Sequence, residues 1–340
     1  MATLKDWLQL FRSHTSPLEM TITVTGSALA LGTIWDIKVL LFFVFGWLYH
    51  NAGYGHNSAE DYIRGFDRED PNKAHHPIHR GAIDPMLGRG VCVLMILLTL
   101  IYGTVISGFD TVSVVLLILL TVFGFIYNMK GKSMGAKFIP IAIAHSLLFP
   151  FAYFGSGGGI SVIDGFPFVE GSLGGVVVLG TAYLILQIIY QIMVEGDLKD
   201  IDMEEASFLR TLGARVEDGN FKASWSARGF SISLKIISLL LLFYIVYLGD
   251  GGTWYYLALL IFSLAMIIQD HRLMCERGWD HSVCLKDMAL MEVLSTFALV
   301  IAISPLIGGW QPALYIMVLN MAYFVLMNCF LWGTAVRPRV

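Results

Sequence analysis

Residues 57–83 read NSAEDYIRGFDREDPNKAHHPIHRGAI, with long apolar stretches on both sides. Asn57 and Asp61 stand at helical i, i+4 spacing, followed by Asp67, Glu69 and Asp70 and then by Lys73, His75, His76, His79 and Arg80. Carboxylate and amide oxygens backed by cations are the groups that hold a magnesium-bound diphosphate: hard oxygens take the ion, and lysine or arginine neutralises the remaining phosphate charge. A charged loop between two membrane helices has a similar composition, and this stretch alone does not choose between the two.

Residues 195–212, EGDLKDIDMEEASFLRTL, bear on that choice. Asp197, Asp200 and Glu204 stand at i, i+3, i+7, so a helix through them would stack three carboxylates on one face. A bland surface helix would interleave lysines there, so the repulsion calls for a cation. Two acidic clusters, each just after a long apolar segment, point to one site with two metal-binding walls.

Both stretches resemble the paired aspartate-rich motifs of the UbiA family of intramembrane prenyltransferases. The first is similar to the family's Asn-x-x-x-Asp and its Lys-x-x-Arg-Pro-x-x-x-Gly continuation, here Lys73, His76, Pro77 and Gly81. The second is similar to Asp-x-x-Asp-x-x-x-Asp, here Asp197, Asp200 and Glu204, with Arg210 to Leu212 downstream. FRSHTSPLEM, residues 11–20, resembles the family's opening, and the likeness runs over roughly residues 10–215. Three positions depart from the pattern: Gly65 stands at the next aspartate, with Asp67, Glu69 or Asp70 to replace it; His76 stands at the arginine, and Glu204 at the last aspartate.

The resemblance implies an all-α integral membrane protein, one domain over residues 1–340, with nine transmembrane helices around a central cavity capped by cytoplasmic loops. It implies an enzyme that ionises a polyprenyl diphosphate with Mg²⁺, two ions, Mn²⁺ being able to substitute, and passes the prenyl group to a lipophilic acceptor. Asn57, Asp61 and Asp67 would hold one ion and Asp197, Asp200 and Glu204 the other. Lys73, His76 and Arg210 would contact the diphosphate, with Lys130 or Lys132 behind them. A cyclase of the same architecture, which needs no acceptor, is the alternative. A transporter fits less well, because its acids would sit in mid-helix whereas these cluster at one membrane face.

Composition agrees with a membrane protein. Of 340 residues 56% are hydrophobic and 14% charged, against about 25% charged in soluble domains. Apolar stretches long enough to span lie near 17–35, 38–64, 89–107, 111–128, 138–155, 174–197, 228–248, 253–271, 288–306 and 312–332, ten where the family implies nine. Twenty of the 22 lysines and arginines fall in alternate connections or at the termini, so the positive-inside rule puts both termini and both acidic stretches on the cytoplasmic side. Leu4, Trp7, Leu8, Leu10 and Phe11 make residues 1–16 an amphipathic segment for the membrane interface. The net charge of −4 and the lack of a basic patch with interleaved aromatics give no nucleic-acid partner, and the four cysteines show no Cys-x-x-Cys pair. Residues 156–173 are glycine-rich but hold no phosphate-loop lysine, so a surface loop is expected.

Polar residues inside apolar stretches need partners. Gln187, Gln191 and Glu195 continue the second acidic face at i, i+4 spacing, as a cavity wall or as helix-to-helix bonds. Glu19 suits either an acceptor pocket or the cytoplasmic edge. Lys235 is expected to snorkel to the interface, and His145 to be a satisfied core histidine.

Overall fold

The computed structural model describes residues 2–68, 73–131, 134, 136–159, 172–201 and 207–335. Glu69, Asp70, Lys132, Glu204 and most of the glycine-rich connection lie outside the described residues. In chain order the elements are α1 (Leu4–Leu10), α2 (Pro17–Leu31), α3 (Ile37–Ile63), α4 (Pro85–Ile106), α5 (Thr111–Lys130), α6 (Phe138–Ser146) and α7 (Leu148–Gly155). They continue with α8 (Leu173–Tyr190), a π-helical turn (Gln191–Gly196), α9 (Asp197–Lys199), α10 (Phe208–Thr211), β1 (Arg215–Glu217), β2 (Asn220–Lys222) and α11 (Trp225–Leu248). The last are α12 (Thr253–Met274), β3 (Arg277–Gly278), α13 (His281–Ile303) and α14 (Trp310–Trp332).

Local chemistry sets most of these boundaries. Asp36, Asp84 and Asp110 accept backbone N–H bonds at the starts of α3, α4 and α5, satisfying donors that the first helical turn leaves open. Proline opens α2 and α4, where its missing N–H costs nothing. Pro150 cannot bond back to the carbonyl of Ser146, where α6 gives way to α7.

The ten apolar stretches are largely helical, with 138–155 divided into α6 and α7. Among the described residues, eight helical runs are long and apolar enough to cross a membrane. The other two are α2, at 15 residues only about 22 Å long, and the more polar α3.

The chain packs as two compact units, Met1–Gly159 with Leu314–Arg337 and Ile160–Ala313 with Pro338–Val340. In the first, α2 packs on α3 and α7, and α3 also on α4 and α5. A Cβ at Gly46 would stand 2.6 Å from Thr23 Oγ1, and one at Gly26 2.5 Å from the Phe149 carbonyl. These glycines let the helix backbones meet at the close range that replaces the hydrophobic effect inside a bilayer. The N-terminal segment is less peripheral than its pattern predicts. Leu10 and Phe11 are buried against Ala59, Ile78, Ile83 and Cys92, whereas Leu4 stays exposed.

In the second unit α11 packs on α8, α12 and α13. Tyr183 donates to the Ser295 carbonyl at 2.7 Å, and Gln269 to that of Asp287 at 3.0 Å. A small antiparallel sheet, β1-β2-β3, is an addition to the all-helical expectation. Arg215 faces Lys222, and Asn220 faces Gly278. Its hairpin turns at Asp218-Gly219, both in the left-handed region.

Candidate functional site

The first acidic stretch begins on the last turns of α3. The Asn57 amide donates to Asp61 Oδ2 at 3.1 Å, and Asp61 is 5% exposed. Glu60 beside it is neutralised differently, by Arg64 at 3.1 Å and Arg89 at 3.5 Å. The helix then closes in a Schellman turn: the Phe66 N–H bonds to the Asp61 carbonyl at 3.0 Å and the Gly65 N–H to that of Tyr62 at 3.1 Å. Such a turn needs a residue at positive φ after the cap, and Gly65 has φ 88°. This explains why a glycine occupies the position where the family pattern has an aspartate. Arg68 covers the carbonyls of Tyr62 and Ile63.

Asp67, the next acid, is buried and ion-paired with Lys73. Lys73 opens the loop that carries His75, His76 and His79. Ile78 and Ile83 anchor this loop in the core around α1, and Arg80 clamps it from above by bonding Asp6 and Gln9. Asp6 is held below the usual carboxylate range, first by its backbone bond from Thr3 and with a smaller contribution from Arg80.

His76 is half-buried, and its Nε2 is sealed from solvent with no hydrogen-bond partner. Burial, and then the positive field of Arg12, His79, Lys73 and His75, pushes its imidazole well below the ordinary histidine range. His76 therefore stands as a neutral donor where the family pattern has a cation. Arg12 has no assigned role in the sequence reading, although it lies in the quoted opening. It sits at φ 53°, its guanidinium lies 5.9 Å from the Tyr54 ring, and its carbonyl accepts from Thr15 Oγ1 at 2.9 Å. Lys130 ends α5, and Asn128 in the same turn donates to the Gly53 carbonyl of α3 at 2.9 Å. α5 thus delivers its C-terminal cation to the end of α3 that carries Asn57 and Asp61.

The second stretch is built differently from its spacing. The α-helical path changes to π geometry over Gln191–Gly196, and the next helical turn stops after Lys199, with Asp200 at φ −107° and ψ 14°. A continuous helix presenting Asp197, Asp200 and Glu204 on one face is therefore not formed, and Glu204 lies outside the described residues. Anions at a helix C-terminus oppose the helix dipole, which favours ending the helix at this point. Asp197 is buried, and its Oδ2 accepts from the Leu209 N–H at 3.0 Å. Arg210 turns back, its Nε donating to the Ile201 carbonyl at 3.0 Å and its Nη2 to the same oxygen. The Arg-Thr-Leu segment is thereby folded onto the acidic stretch, and two guanidinium nitrogens serve that fold.

Among the described residues no three acid, histidine or cysteine side chains converge as a metal cage. The donors fit magnesium nonetheless, because Mg²⁺ is commonly held by one or two carboxylates with water and substrate phosphate completing the shell. Asn57 with Asp61 is such an oxygen set. Asp67 is engaged by Lys73.

The buried polar groups are more organised than expected. Glu19 is fully buried between His50, 2.8 Å away on α3, and His145, 3.1 Å away on α6. His145 also reaches the Ile141 carbonyl at 3.1 Å, so it is a satisfied core histidine. Lys235 does not snorkel. It is wholly buried, with Nζ 3.0 Å from Gln187 Oε1 and 3.5 Å from the centre of the Tyr190 ring. Local partners replace the interface as its polar environment.

A search of the curated proteins finds no match. Among solved structures, a digeranylgeranylglyceryl phosphate synthase superposes with a TM-score of 0.63 at 18% identity, over 89% of this chain and 98% of its own. A UbiA homologue from Archaeoglobus fulgidus bound to GPP and Mg²⁺ gives 0.58 at 14% identity, over 88% and 99%. The A. fulgidus homologue bound to DMAPP and Mg²⁺ gives 0.52 at 14%, over 95% and 98%. At these identities the likeness is one of fold. The family model described as the UbiA prenyltransferase family matches residues 20–282, and the chain belongs to that family.

Proposed function

We propose that this protein is a Mg²⁺-dependent intramembrane prenyltransferase that ionises a prenyl diphosphate and transfers the prenyl group to a lipophilic acceptor. The observation that carries this reading is the charge arrangement at the end of α3. Asn57 and Asp61 offer oxygen ligands there, while Arg12, Lys73 and the His75–His79 group form a positive surround about His76. Oxygen ligands for an ion beside donors for phosphate are the two halves of a metal-diphosphate site. The A. fulgidus homologue, bound to GPP and Mg²⁺, supports the same chemistry by analogy of fold.

Magnesium, when bound, supplies charge neutralisation that makes diphosphate a leaving group. Asn57 and Asp61 would hold one ion, with Asp67 joining if Lys73 releases it. Asp197, Asp200 and Glu204 would hold the second. Lys73, Arg12 and Lys130 would stabilise negative charge on the departing oxygens, and neutral His76 would donate a hydrogen bond there. Arg210 would add its remaining guanidinium nitrogen. Aromatic faces beside the reacting carbon would favour the allylic cation over water attack.

The test is incubation of the purified protein with a labelled prenyl diphosphate and Mg²⁺, with and without candidate acceptors. Acceptor-dependent prenylation that EDTA abolishes and Mg²⁺ or Mn²⁺ restores is the expected result. A prenyl hydrocarbon formed without acceptor would assign the cyclase activity instead. Full turnover in metal-free buffer would refute the metal role.

A further inference from the structure

Arg12 stands out in the positive surround of His76 by its backbone. It lies at φ 53° and ψ 37°, in the left-handed region that residues with a side chain seldom enter and that persists where the surroundings over-determine it. Among the described residues three other non-glycine residues have positive φ, Phe109, Asp218 and Asp250. Each of those stands beside a glycine in a connection between elements, whereas Arg12 stands between the buried Phe11 and Ser13. Its conformation therefore has to come from contacts. Those contacts reach both its carbonyl and its side chain, and His50 of α3 takes part in each. The Thr15 N–H and Oγ1 both donate to the Arg12 carbonyl at 2.9 Å. His50 Nε2 lies 3.2 Å from the same oxygen and 3.1 Å from Thr15 Oγ1. The His50 ring also stacks on Tyr54 with centres 4.2 Å apart. The Arg12 guanidinium lies 5.9 Å from the centre of that tyrosine ring, within reach of cation–π attraction. The other ring nitrogen of His50, Nδ1, is held by the buried Glu19 at 2.8 Å.

We propose that Glu19 and His50 are positioning residues for the diphosphate site: Glu19 orients the His50 ring, and the ring holds the left-handed turn at Arg12 that aims its guanidinium toward the His76 loop. The assignment rests on the prenyltransferase reading, in which Arg12 meets the departing diphosphate, and extends that site to two buried side chains. Arg12 is among the positive groups acting on His76, so its guanidinium belongs with that loop. A cation serves a leaving group best from a fixed position, and the bonds behind it supply that fixity. A bridge serving stability alone would be complete at Nδ1. The Nε2 contact and the Tyr54 stack instead lead on to Arg12, one to its backbone and the other to its side chain.

Substitution separates the two ring nitrogens. An asparagine amide stands where Nδ1 does and can still meet Glu19, whereas a glutamine amide stands where Nε2 does and can still donate to the Arg12 carbonyl. Binding of geranyl and geranylgeranyl S-thiolodiphosphates, which ionise poorly, is measured with Mg²⁺ on the full chain in nanodiscs. Arg12→Gln and His50→Asn should each weaken it about tenfold, the loss of one charge-assisted contact, while His50→Gln stays within about threefold of the wild type. Arg12→Gln combined with His50→Asn should bind little worse than either alone. Unfolding stability should run the other way, with His50→Gln the less stable because it gives up the Glu19 contact. Affinity unchanged in His50→Asn, or falling in step with stability across the two His50 variants, would overturn the proposal. If His50→Asn does not fold, Thr15→Val decides: it removes the hydroxyl bond to the same carbonyl and should weaken binding at least about threefold, and unchanged affinity there would overturn the proposal. Trypsin cleavage of the Arg12–Ser13 bond reads the turn without ligand, and should be at least about threefold faster in His50→Asn or Thr15→Val than in His50→Gln. A wild type that binds neither thiolodiphosphate would defeat the transferase reading. A cleavage difference would then still assign the turn to His50, and equal cleavage would overturn that as well.

Discussion

Replacing Glu19 should reveal how much of the first unit depends on one buried carboxylate. Glu19 on α2 joins α3 through His50 at 2.8 Å and α6 through His145 at 3.1 Å. In Glu19→Ala both histidine nitrogens lose their partner in a buried site, at about 1–3 kcal/mol each. Adding the lost side-chain packing, a destabilisation of about 4 kcal/mol is expected. Glu19→Gln keeps the shape, and its amide can accept from one ring and donate to the other. What it forfeits is charge assistance, which roughly doubles a hydrogen bond's strength, so about 1–2 kcal/mol should be lost. SDS-induced unfolding in mixed micelles, followed by circular dichroism, measures both. A Glu19→Ala loss below about 1 kcal/mol, or equal losses for the two variants, would refute the bridging role derived from these distances.

Asp61→Asn and Asp200→Asn should each lower prenyl transfer by ~10² or more, and the double variant should be little worse than either single one, as for groups serving one step. Multiplying effects in the double variant would separate the two acidic stretches functionally. Single cysteines placed in 65–88 or 198–227, in a cysteine-free background, should resist an impermeant thiol reagent outside intact cells; labelling there, with a cysteine in 156–173 protected, would reverse the orientation. His76 is held well below the ordinary histidine value near 6.5, so below that pH the unfolded chain binds the extra proton first. Its contribution to stability is present above about pH 6.5 and lost as pH falls, by at most about 1.4 kcal/mol per pH unit. Unfolding titrations of wild type and His76→Gln between about pH 7 and 5 should show the acid limb flattened in the variant.

The apolar helical segments and both acidic stretches are legible in the chain because hydropathy and i, i+4 spacing are local properties. Asn57 and Asp61 share a helix, so their contact follows from the spacing alone. The sheet lies outside that expectation of helices alone, although Asp218-Gly219 is a strong hairpin signal.

What only the tertiary structure decided are relations between residues far apart in the chain. The Arg80 clamp on α1 joins positions 74 apart, and Glu19 meets His145 across 126 residues. The neutrality of His76 depends on the residues that surround it, and burial of Lys235 on Gln187 and Tyr190 being placed to receive it. The end of the helix at Asp200 belongs with these, since Asp197 is held by the Leu209 N–H folding back upon it. Sequence determines which groups are present and their local periodicity. Dielectric surroundings, and the partner that satisfies each buried polar atom, are set by packing and become fixed only when distant segments meet.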